Sequence, residues 1–272
     1  MFASCVSLEH YDISKFKTNK VPDMSYMFYN NPLLKQLNLY IFNTVYVKEM
    51  CYMFSLCKSL KELNLSNFKT DNSMTTTSTF SNCSSIIEIN LSNFNTSNVT
   101  NISALFNECC SLKKLDISNF ISSNVMDMSY LFSQCSSLNE INISNLTTKK
   151  VKNMGYMFYK CSALKEINNL NFDPFYAENM ESFFEICSLL RKIDFSKFIT
   201  INVLNMSRLF SECSSLEKLN LSHFNPIKVT RFEYMLSNCF SLKKLNLSNF
   251  NTENEKNMSF MFQKCSSLTE LD

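Results

Sequence analysis

Twelve cysteines and two histidines are the residues of this 272-residue chain best suited to chemistry. Cys5, Cys57, Cys83, Cys109, Cys135, Cys161, Cys187, Cys213, Cys239 and Cys265 recur in steps of 26 residues, with Asn31 in the one place the series skips. Thiols repeated in this way stack at the spacing of neighbouring strands, close enough in principle for disulfides or a soft metal. Each also ends an apolar stripe at i, i+3, i+4 and i+7, where a free cysteine behaves as a small buried hydrophobe. The core reading is the better one, and no C-x-x-C pair supports a zinc knuckle. Cys51 and Cys110 lie outside the series and are the candidate reactive thiols.

Catalysis has less to build on. His10 and His223 are about eight repeats apart, on the order of 40 Å along a stack of strands, and cannot share a site. Carboxylates and serines recur in register like structural parts, and no Ser, His and Asp set departs from the repeat. Gly155 is the single glycine, so neither a P-loop nor a G-x-G-x-x-G turn can be written. The sequence therefore predicts no catalytic residues, no metal and no cofactor, and the chain reads as a non-enzyme.

The elements that position these residues are copies of one unit. In "MSYLFSQCSSLNEINISN", residues 128 to 145, Met128, Leu131, Phe132 and Cys135 have the spacing of an amphipathic helix. Ile141 and Ile143 then alternate with Asn142 and Ser144 as a strand does. Steps of 26 from Met128 reach Met24, Met50, Thr76, Ile102, Met154, Met180, Met206, Phe232 and Met258 without insertion or deletion. Asp23, Asn101, Asp127, Asn153, Asn179, Asn205 and Asn257 precede the stripe as N-cap acceptors. A fixed period between 20 and 50 residues marks a solenoid, propeller or array, whose copies cannot bury an apolar face alone. The fold class is an α/β repeat: a solenoid of about ten 26-residue coils, each a short parallel strand plus a short helical turn. It forms one domain over 1–272 with partial first and last copies and no caps, which points to a fragment or to end-to-end self-association.

If the apolar strand residues face inward, the intervening ones face outward. They include Asn64, Asn90, Asn142 and Asn220, within a column of Asn and Asp from Asp12 to Asp272 that includes Asp116 and Asn168, and two residues earlier Glu62, Glu88, Lys114, Glu140 and Glu166 followed by Lys192, Lys218 and Lys244. The amides are expected to bond up and down the stack as a ladder. Like charges directly across adjacent strands are unfavourable, so three stacked lysines, flanked by Arg191 and Lys243, call for screening or an acidic partner. These residues form the candidate ligand-binding face. Three copies deviate: Thr76, Thr77 and Thr79 replace the apolar stripe and predict a soft coil, Asn31 and Pro32 interrupt the cysteines, and Asn169 with Leu170 predicts a bulge near Pro174. Asn82, Asn95, Asn98, Asn101, Asn145, Asn205 and Asn257 open Asn-x-Ser/Thr triplets, which a chain so rich in these residues generates unaided.

The pattern L-x-x-L-x-L-x-x-F, preceded by M-x-x-[ML]-F-x-x-C-S-S, resembles the BspA-like leucine-rich repeats of bacterial and protist surface proteins. "INLSNFNTSNVTNISALFNEC", residues 89 to 109, is similar to the related repeats of mycoplasma-type lipoproteins. The chain departs from those families with Phe94 and Phe250 in place of Trp, and with Tyr130 and Arg208 where glycine is usual. The resemblance implies a leucine-rich-repeat solenoid used as a surface or adhesion-type binding scaffold for a protein or glycan ligand. A net charge of +2 without a basic arm does not imply nucleic acid. No apolar run is long enough to insert in a membrane, and the N-terminus lacks the regions of a signal peptide. The alternative is therefore an intracellular structural or protein-interaction repeat, located in the cytoplasm and consistent with free thiols.

Overall fold

The computed structural model describes residues 1–167, 170 and 172–272. Each coil contributes about three residues of strand: β1 (Glu62–Asn64), β2 (Glu88–Asn90), β3 (Lys114–Asp116), β4 (Glu140–Asn142), β5 (Lys218–Asn220), β6 (Lys244–Asn246) and β7 (Glu270–Leu271). All pairings are parallel, in the orders β1-β2, β3-β4 and β5-β6-β7, and each residue faces its counterpart one repeat on, as Leu63 faces Ile89. Single bridges such as His10 to Gln36 and Glu166 to Lys192 continue the same ladder. A second parallel ladder follows the expected cap positions from Asp23 and Glu49 to Asn205 and Arg231.

The helical turn is not there. Among the described residues no helix forms, and the apolar stripe is a chain of tight turns. Its N–H groups alternate between two partners. Met128, Tyr130, Phe132 and Gln134 donate to Asn153, Gly155, Met157 and Tyr159 of the next coil at 3.0, 3.0, 2.9 and 2.6 Å. Leu131, Ser133 and Cys135 donate three residues back, to Met128, Tyr130 and Phe132, at 3.3, 3.1 and 3.1 Å. A segment this short is a poor helix on its own, and the adjoining coil offers a carbonyl to every second N–H. The turns require left-handed residues, and Tyr130 (φ 58°) and Gln134 (φ 60°) supply them, as do their equivalents in the other coils. That conformation is incompatible with a right-handed helix. The helical spacing misleads because this turn chain also sends i, i+3, i+4 and i+7 inward: Met128, Leu131, Phe132 and Cys135 are all buried. The glycines usual in similar repeats fit the left-handed positions, whereas Gly155 itself has no positive φ.

The expected caps survive in a different role. Asp127 and Asn153 accept from the N–H two residues on, Ser129 at 2.9 Å and Gly155 at 3.1 Å, so they initiate turns rather than helices.

One cluster of buried side chains runs from Ile13 to Met261. Phe28, Phe54, Phe80, Phe106 and Phe132 stack ring on ring along it, with centroids 5.7, 5.8, 5.6 and 6.0 Å apart. Beside them the thiols have a hydrogen-bonding task. Cys57 Sγ donates to Phe28 O at 3.2 Å, Cys83 to Phe54 O at 3.1 Å, Cys135 to Phe106 O at 3.1 Å and Cys239 to Phe210 O at 3.1 Å. Sulfur thus fills the seam between turn chain and strand and caps a carbonyl of the preceding coil.

The threonine-rich copy is tied together by polar bonds in place of apolar burial. The single Thr79 Oγ1 proton is shared between Met50 O at 2.9 Å and Thr76 O at 2.8 Å, while the Thr76 hydroxyl is buried without a partner. The bulge expected at Asn169 lies outside the described residues; neighbouring Leu170 is buried.

Candidate functional site

The strands place alternate side chains on opposite sides, and Glu62, Asn64, Glu88, Asn90, Glu140, Asn142, Lys218, Asn220 and Lys244 all lie on the outer side, exposed for the most part; Glu166 and Lys192, joined by a single bridge, are exposed too, as is Arg191 beside Lys192. Between them the sheet face sinks into open troughs. One of about 740 Å³ is lined by Lys35, Gln36, Asn38, Lys61, Glu62 and Asn64, and one of about 630 Å³ by Arg191, Lys192, Lys218, Asn220, Lys244 and Glu270, among others.

The Asn and Asp column does not form the expected ladder. Among the described residues one rung is present, Asn142 Nδ2 to Asp116 Oδ2 at 3.1 Å. Otherwise each side chain folds back on its own coil: Asn64, Asn90, Asn220 and Asn246 accept from the N–H of Ser66, Ser92, Ser222 and Ser248 at 3.0, 3.1, 3.0 and 2.9 Å. The short polar side chain closes the turn that ends the strand, which a backbone group two residues on does at lower entropic cost than a partner one coil away. Asn168, in the same column, lies outside the described residues. Where the acceptor is a carboxylate the bond also holds it ionised: the Ser118 hydroxyl and N–H draw the Asp116 pKa down, and the Ser196 N–H does so for Asp194.

Charge on this face is sorted along the stack. Glu62 and Glu88 stand directly opposite each other, and Lys218 stands opposite Lys244. Lys114 meets Glu140 at 2.7 Å and Lys244 meets Glu270 at 2.7 Å, with Lys243 bonded to Glu217 at 3.3 Å beside them. The lysine run is therefore half answered from within: Lys192 and Lys218 make no ion pair among the described residues. Lys114 and Asp116 lie on the face as their columns imply, and Glu270, one repeat beyond Lys244, belongs to it as well.

The thiols do not form a reactive site. Burial pushes Cys57 up to about 12 and holds Cys83, Cys109, Cys135 and Cys187 well above the ordinary thiol range. Cys110, expected to be reactive, is half-buried, and desolvation followed by the Glu108 charge raises its pKa, which disfavours the thiolate. Cys51 is also half-buried, with Sγ 3.4 Å from Thr75 Oγ1. Most amides of the Asn-x-Ser/Thr triplets are engaged: Asn98 donates to Asp71 O at 2.6 Å, Asn205 to Glu181 Oε2 at 3.0 Å and Asn257 to Glu233 Oε1 at 2.8 Å, bonds a glycan would displace.

A family model described as "Mycoplasma protein of unknown function, DUF285" matches residues 1–87, 74–192 and 178–271. The chain belongs to this family. The stretch resembling mycoplasma-type repeats, 89 to 109, falls inside the second match of the DUF285 chain. No curated protein matches it. Among solved structures it is similar to a leucine-rich repeat protein from Bacteroides ovatus, at 17% identity over 94% of this chain and 77% of that one, with a TM-score of 0.35. A leucine-rich cell surface protein from Faecalibacterium prausnitzii is 17% identical over 84% and 77% of the two chains, TM-score 0.33. A leucine-rich repeat protein of T. pallidum is 20% identical over 64% and 62%, TM-score 0.31.

Proposed function

We propose that this DUF285 chain is a non-enzymatic binding scaffold that holds a protein or glycan ligand across the exposed face of its parallel sheet, in a surface or adhesion-type role. The observation that carries this reading is the outward row from Glu62 to Lys244, whose charged groups stay exposed over open troughs and are engaged only in part by one another. The interior has a structural account, ring on ring and thiol on carbonyl, and the Asn side chains close turns. Lys192 and Lys218, without ion pairs among the described residues, do neither, and Lys218 stands directly opposite Lys244. A surface that keeps like charges aligned at a cost to stability is suited to an oppositely charged ligand.

The single domain over 1–272 and stacking of chains through their ends are part of the same proposal: a longer rod presents more of the same face. The ladder thiols favour a second reading, an intracellular repeat protein in a reducing compartment, because all twelve cysteines are free. Protease accessibility on intact cells separates the two locations. Binding itself is tested by presenting the full chain, and variants with Lys192, Lys218 and Glu62 reversed in charge, to glycan arrays and to extracellular matrix proteins. Ligands that lose binding on reversal support the sheet face; ligands held equally by every variant refute it.

A further inference from the structure

The turn chain carries an outward row that the core does not use. Each coil places one left-handed residue there, two positions past the start of the apolar stripe, from Tyr26 (φ 57°) to Phe260 (φ 59°). Backbone bonds hold the row at coil spacing, as Tyr26 N to Cys51 O at 2.9 Å and Tyr130 N to Gly155 O at 3.0 Å. Its residues alternate in pairs. Tyr26 stacks on Tyr52, Tyr130 on Tyr156 and Tyr234 on Phe260, with ring centroids 5.0, 4.7 and 5.0 Å apart. The two coils between the first pairs carry Ser78 and Ala104, and the two between the next carry Ser182 and Arg208. Aromatic ridges two coils wide thus alternate with gaps two coils wide, a period of four coils that the fold itself does not require. The ridges are not sealed: Tyr26 is 47% exposed, Tyr130 42% and Phe260 54%. Exposed aromatics that recur in register, unlike scattered ones, mark a contact surface.

A row of equal ridges and gaps is complementary to itself. Consider two chains laid antiparallel, turn chain to turn chain, about a two-fold axis between the coils of Ala104 and Tyr130. Tyr130 then falls against Ala104, Tyr156 against Ser78, Tyr52 against Ser182 and Tyr26 against Arg208. Each contact occurs twice, as two-fold symmetry demands, and the assembly closes. A second left-handed row, four residues on, obeys the same pairing although its residues are unrelated. Its two aliphatic members, the half-buried Leu56 and Ile186, meet each other, Lys160 meets Asn82, and like charges face each other in neither row. Arg208 lies 4.8 Å over the Tyr234 ring and 4.0 Å from Glu185 with its side chain 41% exposed, and it comes against the coil of Tyr26 and the exposed Asp23.

We propose that this row is the contact surface of a side-by-side antiparallel homodimer. Eight coils at strand spacing make a strip about 40 Å long, and a width of about 12 Å gives roughly 1,000 Å² of total buried area, the low end for specific interfaces. The dimer is therefore weak and reversible, with the central Tyr130 and Ala104 contacts dominating its affinity. It leaves the sheet face of both copies open and does not depend on what that face binds.

The test is sedimentation velocity of the full chain over a concentration series up to about 100 μM, where a dimer of this kind populates. Tyr130→Ala removes a central ring and Ala104→Tyr fills the gap opposite it. Both place at a left-handed position a residue that the row already carries in another coil, so the fold is kept. Each is expected to weaken dimerisation about tenfold or more. Ala104→Tyr/Tyr130→Ala exchanges ring and gap in both copies and is expected to return the affinity to within about threefold of the parent. Arg208→Ser, at the ends of the strip, should weaken it about threefold. A parent that stays monomeric throughout overturns the proposal. So does self-association that both single variants leave intact, the result that end-to-end stacking would give. Lack of recovery in the exchange variant, with melting and circular dichroism like the parent's, overturns the antiparallel pairing, as does an unchanged Arg208→Ser.

Discussion

Asn31 Nδ2 donates to Phe2 O at 2.8 Å, the bond that Cys57 Sγ makes to Phe28 O at 3.2 Å one coil later. The break in the cysteine series therefore keeps its function: the position requires a small buried donor to the carbonyl 29 residues back, and sulfur is the usual way to meet it. Asparagine is tolerated because its own oxygen is answered, accepting from Tyr11 Oη at 2.7 Å.

A double-mutant cycle on that pair reads the argument. Asn31→Cys restores the series but leaves the half-buried Tyr11 hydroxyl without its acceptor, and should cost about 1 kcal/mol. Adding Tyr11→Phe should recover most of it. Independent effects in urea unfolding would separate the two residues and remove this account of the gap.

The thiols also set an alkaline limit. Their folded pKa values are raised by burial, so their contribution to stability is present below the unfolded value near 9 and is lost as pH rises through the folded values, about 12 for Cys57. Thermal stability should be flat to about pH 8 and fall steeply above 9. In the native protein at pH 8, alkylation should be confined to Cys5, Cys51, Cys110 and Cys265, which are not fully buried, and reach the others only on unfolding.

Most of the core could be read from the sequence, because burial follows spacing: the Met, Leu, Phe and Cys of "MSYLFSQC" point inward as expected. Their backbone could not, since a turn chain bonded to its neighbour and a helix bonded to itself share one apolar period. Tyr130 and Arg208 gave the hint, standing where glycine is usual in similar repeats and both left-handed here. On the candidate face the outward side of each strand was legible from alternation, but the turn-closing role of Asn64 and Asn90 was not, because one sequence separation of two residues serves both a local bond and a strand period.

Left-handed residues other than glycine carry strain of about 1–2 kcal/mol each. Glu212 (φ 62°) is one of them. Glu212→Gly should stabilise the protein by about 0.5–1 kcal/mol after the added freedom of the unfolded chain is counted. A fall in melting temperature would mean that the side chain makes a contact outweighing the relief.

Charge order on the sheet face predicts opposite outcomes for one kind of change. Lys218→Glu places a carboxylate between Lys192 and Lys244 and should stabilise by a few tenths to about 1 kcal/mol at low salt. Lys114→Glu destroys the contact with Glu140 and extends a run of carboxylates from Glu62, so it should destabilise by a similar amount. Both effects should shrink as salt is raised, because the groups are exposed. A more stable Lys218→Glu that binds ligand less well would show lysines retained for recognition.

Thr96 and Ser122 each join their coil to the next through a hydroxyl zipper, bonding the carbonyl and the N–H of Ile121 and Thr147, and the same substitution can be made where such a bond exists and where it does not. Thr96→Val removes a hydroxyl that serves both the N–H and the carbonyl of Ile121, at 2.8 and 3.0 Å, and leaves two backbone groups at a buried seam unsatisfied. A cost of about 2 kcal/mol or more is expected. Thr148→Val, two coils on, exchanges a buried hydroxyl that has no partner for a methyl group of nearly the same shape. It should be neutral or stabilising, since the desolvation of that hydroxyl is uncompensated in the native protein. Side chain, burial and position within the coil are matched between the two sites, so the difference in their urea midpoints measures the zipper bonds. Equal losses at both would mean that the Thr148 hydroxyl is engaged after all.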